Sequence, residues 1–542
     1  MKKALFFIIS VLMSVSATAT NISGSVNASA LADNSDIVLT GNTNLYMDVN
    51  KTIKTLNAAY PLTISGGNIL TVNNPNGDAI TSDGDISISG SKLVVKAKSN
   101  GIYSANGNIT LDSKLDITVT NGNAVCANLG NVSISKDTKI ISTSSTKAAI
   151  QAGYYGNAAY KVGSVTITGG TVNVNSQYDA IKAIGGAIDI TGNVTLRSNG
   201  KAIFAFGFDH SQIGGKICFG NINLNGTFDI EGSEYAIGAA GGDVTLLSGS
   251  IKTIGSICTE GDITLNGNVD VTASTNLQAI WAYGKVNITG NVKAVSEASD
   301  VPAIQGGYHE NAAYKVGSVT ITGGTVNVNS QYDAIKAIGG DIKLTGNMTI
   351  TSANAVALLA FAFDHTNIGG PSYRGNIILG KGDYKITGAG YAVYAAGNIA
   401  FNTSLAILTP TNGKIYNHTI VDEGNNMATF VHIGYTPKVT QNVLSATNTV
   451  KYGEQLRIEG TIKAIGQTNY KLQESADGTT WRTIKSGTIA TNDARTGHTV
   501  QYKKVLTETG YEAYRQYRMI ANHVGSGEQD TSAIKRVYYK YP

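Results

Sequence analysis

The chain has 542 residues, with 63 Gly, 7 Pro and only 14% charged side chains. This composition argues against long charged surface helices and suits many short strands joined by tight turns. The net charge of +4 is spread too thinly for a nucleic-acid binder, so none is expected as a partner.

The chain opens MKKALFFIISVLMSVSATAT. Lys2 and Lys3 form a basic start, residues 4–15 are apolar, and Ala17-Thr18-Ala19 fits a small-x-small cleavage site. Residues 1–19 therefore read as a signal peptide. The apolar run is too short to span a bilayer, and no later run approaches that length, so no membrane span is expected. Thr20 rather than Cys follows the cleavage site, which argues against a lipid anchor. The expected location is outside the cell or at its surface, with the periplasm as the alternative.

Residues 20–76 read as an N-terminal cap and first coils, through SDIVLTG, NLYMDV and PLTISGG. From residue 77 a unit of three short strands recurs, as in GDAITSDGDISISGSKLVVKAKSN. Each unit has a short xAI strand, a Gly- or Asn-marked turn, and two strands of alternating apolar and polar residues. Indexing the xAI positions gives Ile80, Ile102, Val125, Ile150, Ile181, Ile203, Ile237, Ile257, Ile280, Ile304, Ile335, Val356 and Val393. Eight of the twelve spacings fall between 20 and 25 residues. A propeller blade needs about 40–45 residues and four strands, and a leucine-rich repeat needs a Leu/Asn framework that is absent. The expected fold is all-β: a single-stranded parallel β-helix over 77–433, each coil rising about 4.8 Å.

Cys126, Cys218 and Cys258 are an odd, sparse set and no disulfide framework; they read as small buried hydrophobes. Cys126 and Cys258 share one coil position five coils apart, roughly 24 Å by the coil rise, beyond disulfide reach.

Thirty residues, NAAYKVGSVTITGGTVNVNSQYDAIKAIGG, occur unchanged at 157–186 and again at 311–340. The four longest coils begin at Ile150, Ile203, Ile304 and Val356, so each copy of the repeat is bracketed by two loops leaving one corner of the coil. The duplication thus predicts two equivalent patches six coils, roughly 29 Å, apart. The first offers Tyr154, Tyr155, Asn157, Tyr160, Lys161, Asp179, Lys182, Phe206, Phe208, Asp209 and His210. Its twin offers Tyr308, His309, Asn311, Tyr314, Lys315, Asp333, Lys336, Phe361, Phe363, Asp364 and His365. Rings beside amide, lysine and carboxylate groups suit a saccharide: rings cover C–H faces, and polar groups bond hydroxyls or a uronate. The alternative is that the loops pack on each other, with Tyr and Phe as their small core.

The turn GDAITSDGDI holds Asp78, Asp83 and Asp85, a carboxylate set of the kind that binds calcium; the alternative is the ordinary preference of Asp for turns. No cofactor is required by anything else in the sequence.

After about residue 415 the coil pattern fades, and near residue 434 the strands lengthen. Residues 434–542 carry 15 Lys/Arg and 9 Asp/Glu, against 26 and 28 before them. About seven strands, a hairpin signal at Asp477-Gly478, and the aromatics Trp481 and Tyr517 predict an immunoglobulin-like β-sandwich without the antibody cysteine pair.

Through DAITSDGDISISGSKLVVKAKSNGIYSANGNITL at 78–111, and more loosely over 60–410, the coils resemble exported bacterial carbohydrate-binding parallel β-helix proteins. That resemblance implies non-catalytic binding of acidic polysaccharide, with calcium held by Asp78, Asp83 and Asp85. Residues 434–542 resemble bacterial immunoglobulin-like modules through KLQESADGTTWRTI and YRQYRMIANHVGSGEQDTSAIKRV. The expected partner is a polysaccharide or cell-surface glycan. Two other classes remain: a surface adhesin or structural protein, and a polysaccharide lyase or hydrolase. The lyase reading would use Lys182 or Lys336 as base. Two near-copies of one patch suit multivalent binding better than a single active site.

Overall fold

The computed structural model describes residues 19–540 apart from 91, 157–158, 210–216, 274–275, 311–312, 365–370, 403–404, 436–437, 466, 491–496, 508–513 and 525–528. The expected signal segment up to residue 18 lies outside the described residues, as do the candidate site residues Asn157, His210, Asn311 and His365. The chain divides into two units. The first comprises Met1–Gly380, Tyr384–Phe401 and Thr409–His432; the second comprises Lys381–Asp383, Asn402–Leu408 and Ile433–Pro542.

Among the described residues the first unit is all-β apart from one 3-10 turn, Ala28–Ala30. Its strands pair in parallel with strands one turn of the chain earlier and later, in three long ladders. One ladder passes from Ile37 and Leu56 to Ile80, Ile102, Val125 and Ile150, and onward through every indexed position to Ile335. A second takes Ile64, Ile88, Leu111 and Ile134 in register, and a third takes Val72, Val95, Ile117 and Ile140. All of these side chains are buried. Residues before 77 belong to the same ladders, since Thr20, Ile37, Leu56 and Ile80 are successive partners.

One index position is corrected. The partner of Ile335, and then of Val393, is Leu358 and not Val356. The stretch Ala355-Val356-Ala357-Leu358 presents the Ala-apolar pair twice. A two-residue shift keeps the same face of a strand, so alternation cannot separate the two choices. Burial does: Leu358 is buried and Val356 is not.

The xAI motif has a simple cause. The alanine sits at a closed corner, where Ala79 and Ile80 N–H groups donate to Asn100 and Gly101 carbonyls one coil on, at 2.9 Å each. At another corner, Gly192, Gly226 and Gly249 are ladder partners with φ of +130°, +137° and +105°. Gly267 and Gly290 carry +139° and +125°.

The four long coils end in antiparallel hairpins. Tyr154–Gly156 pairs with Ala159–Lys161, and Phe208–Asp209 with Ile217–Cys218. In the second copy, Tyr308–Glu310 pairs with Ala313–Lys315, and Phe363–Asp364 with Ser372–Tyr373. All four leave after a first-ladder strand and return before a second-ladder strand, the shared corner that the spacing predicts.

The second unit holds a three-stranded antiparallel sheet, Lys438–Ala446, Gln455–Ile465 and His498–Val505. A six-stranded sheet is built around Thr468–Ser475, Arg482–Ile489, Tyr514–His523 and Lys535–Lys540. Their core includes Leu444, Ile458, Ile462, Leu472, Tyr517 and Met519. Tyr517 is fully buried, its hydroxyl 2.5 Å from that of Tyr539. Trp481 lies at the edge, with the Arg518 guanidinium 4.1 Å from its ring centre. The expected hairpin at Asp477-Gly478 is present, as a loop over 476–481 rather than a two-residue turn.

Candidate functional site

Side chains alternate along a strand, so the residue after each buried first-ladder Ile faces away from the core. Read along that ladder, these residues are Tyr103, Cys126, Gln151, Lys182 and Phe204. Beside them rises the hairpin 154–161. Gly153, with φ of +84°, turns the chain out of the coil; a Cβ there would lie 2.6 Å from the Lys161 carbonyl oxygen.

The two features enclose an open cleft of about 600 Å³. Tyr103, Tyr154, Tyr155, Tyr178 and Phe206 supply rings; Asn100, Asn123, Asn128 and Gln151 supply amides; Lys147, Lys182 and Asp78 supply charge. Asp78 lies just before Ile80 and Lys182 just after Ile181, four coils apart, or roughly 19 Å. Lys147 precedes Ile150, so both lysines sit toward one end and the carboxylate at the other.

Tyr154 and Tyr155 are 41% and 44% exposed, too open to be the core of a loop. Tyr155 also meets the second hairpin's base, 5.0 Å from Phe206 and 5.4 Å from Phe208 between ring centres. Tyr160 does not line the cleft; its ring lies 4.6 Å from the buried Phe208. The hairpins therefore clasp each other through Tyr160 and Phe208 and leave Tyr154 and Tyr155 to the cleft. Gly185 permits this: a Cβ there would meet the Phe208 ring at 2.9 Å. Lys161 and Asp209 are exposed on hairpin strands away from the cleft lining.

The Lys182 ammonium lies 5.5 Å from the centre of Phe206 and 6.0 Å from that of Phe204, within cation–π range. It is 3.9 Å from the Asp179 carboxylate. Asp179 is not the surface group that the sequence reading placed in the patch. It is 2% exposed, and its Oδ1 accepts the Lys201 N–H at 2.9 Å. Burial holds the Asp179 carboxyl above its ordinary range. Burial also pushes Lys182 down; Asp179 opposes this, while Lys201 and Lys147 reinforce it.

The acidic trio is not brought together. Asp78 accepts the Asn100 N–H at 2.7 Å, and Asn100 accepts the Asn123 N–H at 3.0 Å. Asp85 begins a separate column: it accepts from Asn108 at 2.6 Å, and Asn108 from Asn131 at 2.9 Å. Each side chain thus replaces solvent for a corner N–H of the next coil, which explains Asp at these turns without a metal. Asp83 is exposed. Among the described residues no group of three or more His, Cys, Asp or Glu could hold a metal ion.

The twin patch keeps the frame and changes the floor. Trp281, Gln305 and Lys336 are ladder partners, as Cys126, Gln151 and Lys182 are in the first copy. Tyr283 donates its N–H to Thr259 as Asn128 does to Ser104. The ring of Tyr283 stacks on that of Tyr308, 4.3 Å apart and 10° from parallel, with Trp281 4.9 Å from Tyr283. Lys336 repeats its counterpart, 3.7 Å from buried Asp333 and 5.3 Å from the Phe361 ring centre. Tyr314 lies 6.2 Å from Tyr373. Lys315 donates to the Glu260 carbonyl at 2.8 Å, and His309 is exposed. Asp364 lies on the strand Phe363–Asp364.

Of the cysteines, only Cys126 is fully buried; Cys218 and Cys258 are partly accessible at the surface. Burial pushes the thiols of Cys126 and Cys258 up to about 12.

Sequence reading missed Tyr103, Cys126, Lys147, Gln151 and Tyr178 as cleft residues. The signal was present: all five sit next to an indexed coil residue or three positions before one, and emerge only when successive coils are laid in register.

No family model and no curated protein matches the chain. Among solved structures, a CARDB domain from Pyrococcus furiosus, in complex with two metal ions, is 10% identical with a TM-score of 0.15; the match covers 19% of this chain and 89% of that one. A β-glucosidase from Listeria innocua is 17% identical with a TM-score of 0.15, the match covering 20% of this chain and 16% of that one. At this level neither bears on what this chain does.

Proposed function

We propose that the chain is an exported binder of acidic polysaccharide, and that the cleft beside the hairpin 154–161 is its site. The three ladders are read as the faces of a parallel β-helix, and residues 434–542 as an immunoglobulin-like spacer or attachment module. The observation that carries the function is the cleft lining. Five rings, four amides and two lysines converge on one open trough, a composition matched to sugar C–H faces, hydroxyls and carboxylates. Its length over four coils suits an extended chain rather than a compact small molecule.

The test is binding of polygalacturonate to the mature chain, with neutral dextran as control. Polygalacturonate should bind and dextran should not. Tyr155→Ala and Lys147→Ala should each weaken binding several-fold, and raised salt should weaken it further. Because burial lowers the pKa of Lys182, binding should fade on the alkaline side at a lower pH than an exposed lysine would give. Equal binding of dextran, or indifference to both substitutions, refutes the proposal.

The depressed Lys182 favours one second reading, a lyase with Lys182 as proton acceptor. It requires ultraviolet-absorbing unsaturated product to accumulate from polygalacturonate and to vanish with Lys182→Met.

A further inference from the structure

We infer that the duplication has left one open saccharide cleft rather than two, and that Cys126, Asn128 and Lys147 decide it against Trp281, Tyr283 and Val301. The inference rests on the glycan reading above and goes beyond it by distinguishing the two copies.

Both copies share the ladder Gln–Lys, the hairpin Tyr and a ring over the lysine: Gln151, Lys182, Tyr154 and Phe206 in one, Gln305, Lys336, Tyr308 and Phe361 in the other. The two copies therefore have similar walls, with Lys182 and Lys336 inside the exact thirty-residue repeat, the Gln and Tyr just before it and the Phe after it. The floor comes from the preceding coil, which lies outside the repeat. In the first copy that coil presents Cys126 and Asn128, two small side chains, and the cleft descends to them. In the second it presents Trp281 and Tyr283 at the same ladder positions.

These rings fill the space. Tyr283 lies flat against Tyr308, the counterpart of the exposed Tyr154, and Trp281 packs against Tyr283. Gln305 is consequently 8% exposed, whereas its counterpart Gln151 lines the open cleft. The indole Nε1 of Trp281 is buried without a hydrogen-bond partner.

Charge diverges in the same direction. Lys147 lies three residues before Ile150, and the residue three before Ile304 is Val301. The first copy thus sets two lysines at one end of its cleft, and the second keeps only Lys336 of that pair. A uronate loses both its space and one of its cations in the twin.

The experiment is calorimetric titration of the mature chain with tetragalacturonate. The wild type should bind one molecule. Asn128→Tyr should abolish that binding, and Trp281→Cys with Tyr283→Asn and Val301→Lys should raise the stoichiometry to two. In a Trp481→Phe background, Trp281 is the sole tryptophan, and tetragalacturonate should leave its emission unchanged. Two molecules bound by the wild type, a ligand-dependent change in Trp281 emission, or undiminished binding by Asn128→Tyr overturns the inference. The emission arm needs no cleft variant to fold. No binding at all by the wild type instead refutes the acidic-glycan reading, and this inference falls with it.

Discussion

Gly249→Ala should be among the most damaging small changes in the first unit. Gly249 has φ of +105°, and an added Cβ would lie 1.9 Å from the Gly226 carbonyl oxygen and 2.7 Å from its carbon. The backbone conformation alone costs a non-glycine residue about 1–3 kcal/mol. The clash is with main chain in the ladder, so no rotamer relieves it. The coils must part locally, loosening one or two ladder hydrogen bonds worth about 0.5–1.5 kcal/mol each. Together these give a loss of about 2–5 kcal/mol. Gly323 supplies the control: its φ is +84°, but nothing lies within 4 Å of an added Cβ. Gly323→Ala should lose only the conformational part, about 1–2 kcal/mol. Urea unfolding of both variants, followed with hydrogen exchange over residues 222–273, measures the difference. A stacked array need not unfold in one step, so the exchange data locate the loss. Equal losses in the two variants, or unaltered exchange around Gly226, refute the reasoning.

Two further outcomes follow from titrating groups. Asp477 accepts the N–H groups of Thr480 and Thr479 at 2.7 and 2.8 Å, and these bonds, with the Ser475 hydroxyl, hold its carboxyl well below the ordinary range. Its folded pKa is depressed, so its contribution is complete above the unfolded value of about 3.9 and is lost as pH falls through the folded one. Asp477→Asn should lower the urea midpoint of the second unit at pH 7 and flatten its fall below pH 4; an unchanged acid limb counts against this. Cys126 and Cys258, with thiols pushed up to about 12, should resist iodoacetamide at pH 8 in the folded chain and react fully in urea, because only the thiolate attacks. Rapid labelling of either in the native protein, read by mass spectrometry, contradicts the raised thiol pKa.

The sequence by itself determined the all-β class and the recurring unit of short strands. Apolar residues recur mostly every 20–25 residues, Ala precedes them, and Gly or Asp/Asn follows at the corners, because each unit must repeat the same buried face and the same bonds to its neighbour. Even the hairpin positions were legible, since extra length at Ile150, Ile203 and Ile304 has to leave the ladder somewhere. The slip at Val356 marks the limit of that logic: a period of two cannot choose between Ala-Val and Ala-Leu, and burial of Leu358 does. The site was legible only in part. Residues adjacent in sequence, such as Asp78, Asp83 and Asp85, suggested a cluster, whereas the structure commits Asp78 and Asp85 to the backbone of different corners. Identical repeats suggested identical patches, yet a cleft's floor is set by the neighbouring coil, about 25 residues away in the chain and about 4.8 Å away in space. Only stacking puts Cys126 under Gln151 and Trp281 under Gln305, and so only the tertiary structure decides which copy is open.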